Sequence, residues 1–154
     1  MLIIEPTSPR ATGVQNLLEQ SHALMLSLFD PESCHFLDLD ALEADNIHLF
    51  AAREGEQILG TGALAIKDGY GEVKSMFTAD AARGKGIAAA LLRQIEDTAR
   101  EQELTQLKLE TGDTLHAAHR LYERHGFTFC GPFGDYKEAP ESLFMEKALT
   151  DDSQ

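Results

Sequence analysis

Residues 73–92 read VKSMFTADAARGKGIAAALL, and the fold turns on how that stretch divides. The first part closes an apolar run of strand character, and the last part opens an alanine- and leucine-rich helix. Between them Arg83, Gly84, Lys85 and Gly86 stand in a row. Two glycines cost backbone entropy and two close cations repel, so something must offset both. A loop between a strand and a helix presents free N–H groups at the positive end of the helix dipole, where phosphate oxygens bind well. A Cβ there would hold an anion away from the backbone. Arg83 and Lys85 add charge beside those donors, and Ala88, Ala89 and Ala90 keep the first turn thin enough for a bulky ligand.

Working outward, Ile87, Leu91, Ile95 and Ala99 recur at i, i+4 and predict an amphipathic helix to about residue 102. Residues 104–110 alternate like a strand with one covered face. A helix over 114–125 ends with Gly126 just beyond it, the usual left-handed stop. Strands close the chain at 127–131 and 142–149. Upstream, 2–5 reads as a strand stopped by Pro6, 13–29 as a helix, 38–47 as a short acidic helix, and 48–66 as a hairpin turning at Glu54-Gly55-Glu56. A strand over 69–78 follows. The order β-α-α-β-β-β-α-β-α-β-β is a mixed α/β layer fold with an antiparallel start and a later crossover helix. One domain over 1–149 is expected, with a frayed tail at 150–154.

Composition bounds the function. The chain has 154 residues, 43% hydrophobic and 25% charged, which suits one soluble domain with a real core. No apolar run approaches the roughly 18 residues of a membrane span, and MLIIEPTSPR does not read as a signal peptide. Cys34 and Cys130 are too few for a disulfide framework, so a reducing cytoplasm is the default location. The net charge of −13 argues against a nucleic-acid or anionic-membrane binder. That charge is uneven. Residues 81–125 hold seven Lys/Arg and seven Asp/Glu, while the rest of the chain holds six and nineteen. A cation-rich loop inside so acidic a protein suits one anionic ligand; chance clustering is the plain alternative.

Three ligands compete for the loop. A mononucleotide P-loop needs Lys followed by Ser or Thr, which GKGIAAA lacks. A dinucleotide site wants G-x-G-x-x-G/A, and Gly84, Gly86 and Ala89 satisfy it, with Glu110 at the next strand as a ribose-binding acid. Only about 70 residues follow the loop, short for the second half of such a fold. The third ligand is the pyrophosphate of coenzyme A. Residues 73–92 resemble motif A of the GNAT superfamily of acyl-CoA-dependent N-acetyltransferases, whose Q/R-x-x-G-x-G/A loop is met by Arg83, Gly86 and Ala88. LYERHGF at 121–127 is similar to the family's second signature, and the element order matches over nearly the whole chain.

That resemblance implies an enzyme that moves an acetyl group from acetyl-CoA to an amine by direct attack in a ternary complex. The acceptor would be a small-molecule amine or a protein or peptide amine, and homodimers are common in the superfamily. It places the loop of Arg83, Gly84, Lys85, Gly86, Ile87 and Ala88 on the pyrophosphate. It places the main chain of Met76, Phe77 and Thr78 against the acetyl group and pantetheine arm. It makes Tyr122 the acid that protonates the departing sulfur; a packed aromatic is the plain alternative. It makes Glu72, eleven residues before Arg83, the general base, against a salt-bridged strand residue near Lys74. It departs at Leu115, where many members carry an asparagine that contacts the coenzyme A arm. Tyr136 with KEAPESLFMEK resembles a bacterial subset of the family associated with indole-acetate. His116 and His119 share a helical face with His125 further on, yet no third ligand is evident and no metal is expected. Two other readings stay open: a nicotinamide dinucleotide module, and a non-catalytic acyl-CoA sensor of the same fold.

Overall fold

Along the chain run β1 (Leu2–Pro6), α1 (Val14–Leu28), α2 (Leu39–Leu42), β2 (Ile47–Glu54), β3 (Gln57–Ile66) and β4 (Gly71–Thr78). They are followed by α3 (Ile87–Glu101), β5 (Gln106–Gly112), α4 (His116–Arg124), β6 (Thr128–Cys130) and β7 (Ser142–Ala148). The computed structural model describes residues 1–149; the tail expected to fray, 150–154, lies outside the described residues. The order of elements is the one the periodicities predict. The main difference in extent is α2, expected over 38–47, which is a single turn. Asp38 caps it by accepting the Ala41 N–H at 2.8 Å, and by Ile47 the chain is already paired as β2.

The strands form one sheet in the order β1-β2-β3-β4-β5-β7-β6. Every neighbouring pair is antiparallel except β4 and β5, which run parallel and pair only at Gly71↔Leu107 and Glu72↔Lys108. The expected crossover helix, α3, makes that parallel connection. A dinucleotide fold needs a mostly parallel sheet, so this topology overturns that reading of the glycine pattern.

Each face of the sheet carries its own core. On one, Ile87, Leu91, Leu92, Ile95 and Ala99 of α3 pack with Leu64, Val73, Leu107 and Leu109, and Tyr122 of α4 joins them. On the other, Val14, Leu18 and Leu42 cover Leu49, Ala51 and Ala63. Each large aliphatic side chain removed from water contributes about 1.5–3 kcal/mol before chain entropy is subtracted, so α3 is held chiefly by its Ile/Leu stripe. Glycine in β3 makes room for side chains of both the helix and β4. A Cβ on Gly62 would come within 2.7 Å of Met76 Sδ and 3.2 Å of Ile95 Cδ1.

The feature that makes the site is an irregularity in β4. Thr61 pairs with Phe77 but Ala63 pairs with Lys74, so β4 carries an extra residue over that interval. Ser75 absorbs it with φ of +56°, held by the Thr61 hydroxyl, which donates to the Ser75 carbonyl at 2.9 Å. A non-glycine residue in this region costs about 1–2 kcal/mol. Such a bulge bends its strand. The β4–β5 ladder stops at Glu72, and the β5-facing edge of β4 beyond it has no strand partner.

Candidate active site

The divergence of β4 from β5 leaves a cleft of about 140 Å³. Its walls are Lys74, Ser75 and Met76 of β4, Glu110, Thr111 and Gly112 of β5, Leu115 and Tyr122 from the α4 side, and Phe29 with residues 33–36. Parallel strands that part company expose main-chain groups without opening the core, because sheet hydrogen bonds are lost only on the facing edges. Those groups can stabilise charge that develops on a carbonyl oxygen.

Two side chains on the cleft are tuned by their surroundings. Tyr122 is 7% exposed, and burial, then the nearby Glu110 carboxylate, push its hydroxyl well above the usual phenol range. It therefore keeps its proton at neutral pH and can only donate it. Glu110 is half-buried, and its own burial raises its carboxyl above the ordinary value, opposed first by the Ser142 hydroxyl and then by His35 and Lys74. A carboxylate poised upward in this way is a better base near neutrality. Ser75 adds a buried hydroxyl with no hydrogen-bond partner among the described residues.

The loop is built as the sequence suggests. Ala82 is buried beneath a 3-10 turn over Asp80–Ala82, while Arg83, Gly84, Lys85 and Gly86 face solvent. Gly86 has φ of +75° and serves as the N-cap of α3 with no side-chain cap, so the first N–H groups of a 15-residue helix point outward. A Cβ added at Gly84 or Gly86 would meet nothing within 4 Å. The space above both is open. Arg83 makes an exposed ion pair with Asp80 at 3.2 Å, which in water is worth little and yields to a stronger anion. Glycines with room above them, an uncapped helix terminus and two cations fit a pyrophosphate. Ile87 is buried in the core and Ala88 is half-buried behind it.

The two expected catalytic residues lie on different walls. Tyr122 lines the cleft; Glu72 lines a second, larger cavity of about 580 Å³ on the α1 and α2 side of the sheet. Glu72 is 3% exposed. The Tyr136 hydroxyl donates to its carboxylate at 2.5 Å, and Lys74 Nζ stands 3.5 Å from the same oxygen. Lys74 also donates to Tyr136 Oη at 3.0 Å and to the His35 carbonyl at 2.7 Å. Burial, followed by the hydrogen bond to Glu72, raises the Tyr136 hydroxyl well above its usual range. His35, Phe36 and Lys74 line both cavities, which are thus neighbours.

Of the main-chain positions, Met76 lines the cleft, whereas Phe77 and Thr78 lie past the bulge, paired with Thr61 and Gly60. Leu115 caps α4 without a side-chain hydrogen bond and faces the cleft. His119 is buried with Nε2 2.8 Å from the Gly112 carbonyl, and its ring meets His116 edge-on; both serve the β5–α4 corner. The sequence reading missed Ser75 and took Glu110 only as a ribose ligand. Alternation in β5, with Leu107 and Leu109 buried, does put Glu110 on the opposite face with Lys108. Nothing local announced that β4 would bulge and open that face to the cleft.

A mostly antiparallel sheet with one parallel pair splayed beside a glycine-rich helix terminus is an arrangement that acetyltransferases share. The profile of the Acetyltransferase (GNAT) family matches residues 15–127. The chain belongs to that family and is an N-acetyltransferase. It is 44% identical over 144 residues to the "IAA acetyltransferase" of Azospirillum brasilense, covering 92% of this chain and 94% of that one. A solved structure from Klebsiella pneumoniae, provisionally named an acyl-CoA N-acyltransferase, superposes with TM-score 0.82 at 30% identity, covering 97% of this chain and 99% of the other. A GNAT acetyltransferase from Elizabethkingia anophelis, solved with acetyl-CoA bound, has TM-score 0.69 at 19% identity over 96% and 97% of the two chains. At that identity the likeness is one of fold. No helix among the described residues is long and apolar enough to cross a membrane.

Proposed function

We propose that this enzyme transfers an acetyl group from acetyl-CoA to an amine by direct attack in a ternary complex. The observation that carries the reading is the meeting of two features on one strand: the uncapped glycine loop that follows β4, and the cleft opened by the bulge within β4. Acetyl-CoA supplies the activated thioester. Arg83, Lys85 and the N–H groups around Gly84, Gly86, Ile87 and Ala88 bind its phosphates. The unpaired edge of β4 around Met76, continuing toward Phe77 and Thr78, orients the acetyl group and polarises its carbonyl. The amine nitrogen bonds to the carbonyl carbon as the carbon–sulfur bond breaks. Tyr122, which lines the cleft and stays protonated at neutral pH, gives its proton to the departing thiolate. No covalent enzyme intermediate is needed; burial raises both cysteine thiols, the reverse of an activated nucleophile.

Glu72 takes the amine's proton in this scheme, with Tyr136 as the hydrogen-bonded hydroxyl beside it. Glu110 is a second reading for the base, favoured by one observation: it shares the cleft with Tyr122, whereas the Glu72 carboxylate is engaged by Tyr136 and Lys74. The chain's net charge of −13 supports a small amine over a nucleic acid or membrane partner.

Thermal unfolding with coenzyme A, acetyl-CoA, NAD and NADP in parallel tests the binding half. A ligand at about 100 times its Kd stabilises the folded state by roughly 2.7 kcal/mol. A shift with the coenzyme A species alone is expected; a shift with a nicotinamide nucleotide alone overturns the proposal. Thiol release on addition of amines to the acetyl-CoA complex tests transfer. Binding without release on any amine would leave a sensor.

A further inference from the structure

We infer that the acceptor is zwitterionic: a small amine that also carries a carboxylate, of the amino-acid type, with the carboxylate held in the second cavity by Lys67, Lys74 and Lys137. The inference rests on the acetyl-transfer reading above and names its acceptor. Outside residues 81–125 the chain has six Lys/Arg against nineteen Asp/Glu. Three of those six, Lys67, Lys74 and Lys137, line this one cavity. They come from three separate places, the end of β3, the middle of β4, and the loop before β7, so the fold gathers them.

Their charge is only partly used. Lys74 spends two of its three N–H donors on the His35 carbonyl and the Tyr136 hydroxyl, and its one carboxylate neighbour, Glu72, stands 3.5 Å away. Lys67 and Lys137 are exposed and form no ion pair among the described residues. In a protein of net charge −13, Lys67 and Lys137, ammonium groups on a concave surface with no ion pair among the described residues, are a place for an incoming anion, with the ion-paired Lys74 beside them. The cavity also holds acids, Glu32, Glu72 and Asp135. A purely anionic ligand would meet them unfavourably, and a polyamine would meet the lysines unfavourably. A molecule with both signs satisfies both sets.

The position suits an acceptor. Lys74 and His35 line this cavity and the cleft alike, so a carboxylate beside Lys74 leaves an amine a few bonds away free to reach toward Met76 and Tyr122. Phe36, Tyr70 and Tyr136 supply flat apolar wall, with Tyr136 packed edge-on against His35 at 5.2 Å and against the buried Phe133 at 5.1 Å. An aromatic or branched side chain fits that wall better than a short polar one.

The experiment compares matched pairs that differ only in the carboxylate: phenylalanine with phenethylamine, and tryptophan with tryptamine. Each is tested for equilibrium binding to the coenzyme A complex and for thiol release from acetyl-CoA. The acid-bearing member of each pair is expected to bind at least tenfold tighter. Lys67→Glu with Lys137→Glu, both exposed and outside the core, should erase the preference while coenzyme A affinity stays unchanged. Equal or tighter binding by the amines, no binding by any member, or a preference that survives the double variant would overturn the inference. Tighter binding of the acids with no thiol release would instead overturn acetyl transfer and leave the carboxylate site standing.

Discussion

The glycine loop at 83–88 and the β4–β5 cleft use the same residue under opposite constraints. At Gly84 and Gly86 the backbone is left-handed, with φ of +82° and +75°, and an added Cβ would meet nothing within 4 Å. At Gly112 the backbone needs no unusual angle, but a Cβ would lie 2.2 Å from Phe29 Cζ with two more ring atoms within 3.0 Å. One region keeps space for a ligand. The other lets an aromatic side chain from the end of α1 close over the strand that carries Glu110. A glycine-poor cleft would lose its wall, whereas a glycine-poor loop would keep its fold and lose its guest.

That contrast can be broken. The largest effect is expected at the packed site: Gly112→Ala should destabilise the protein by about 3 kcal/mol, the upper end of overpacking costs, measured by urea unfolding. A loss below about 1 kcal/mol would mean that Phe29 swings aside freely and that the packing constraint is weak.

Next comes the chemistry that the packing supports. Tyr122→Phe removes only a hydroxyl, so stability should change little and acetyl-CoA affinity should hold. kcat should fall about 100-fold, the lower range for a lost general acid. Unchanged turnover would return Tyr122 to a packing role beside Phe127.

At the open site, Gly86→Ala should cost about 1 kcal/mol of stability through the left-handed backbone alone. Gly86→Asp should weaken coenzyme A binding at least about tenfold, because it brings a negative charge into a phosphate cradle. Titration calorimetry distinguishes the two. Equal affinity for wild type and Gly86→Asp would remove the loop from the binding site.

The smallest effect sharpens the cleft side. Glu110 is raised above 4.5 by burial, so its folded form holds a proton that the unfolded chain releases. Its stabilisation is fully present below the unfolded value and is lost as pH rises through the folded one. Glu110→Gln should therefore melt progressively higher than wild type as pH goes from about 4 to 7. A difference in melting temperature that is flat with pH would mean that Glu110 is solvated. The same variant set beside Glu72→Gln identifies the base: the one that does the work loses the acidic limb of the kcat/KM profile.

Much of this was legible in advance, for reasons that differ by element. The i, i+4 stripe from Ile87 to Ala99 decided α3 because a surface helix must bury one face, and alternation in 104–110 decided β5 for the same reason. The glycine loop was legible because its costs are local: two left-handed glycines alternating with two cations in four positions of chain. Tyr122 and Glu72 were reached through the likeness of LYERHGF and of the strand before the loop. Which cavity each would face was not legible, since that depends on strands 30 to 60 residues apart in sequence.

The sequence by itself therefore determined the elements and their order, which rest on short-range periodicity, the left-handed glycine loop, which rests on local backbone demands, and the family, which rests on the likeness of two motifs. Only the tertiary structure decided where β4 bulges, with Ser75 left-handed and Thr61 holding its carbonyl, because a bulge is a mismatch between two strands and belongs to neither alone. With that mismatch go the parting of β4 from β5 beyond Glu72 and the cleft that Glu110 and Tyr122 share; the engagement of Glu72 by Tyr136, from 64 residues away, is likewise tertiary. Pairwise contacts across a sheet are set by register, and register is a property of the folded chain.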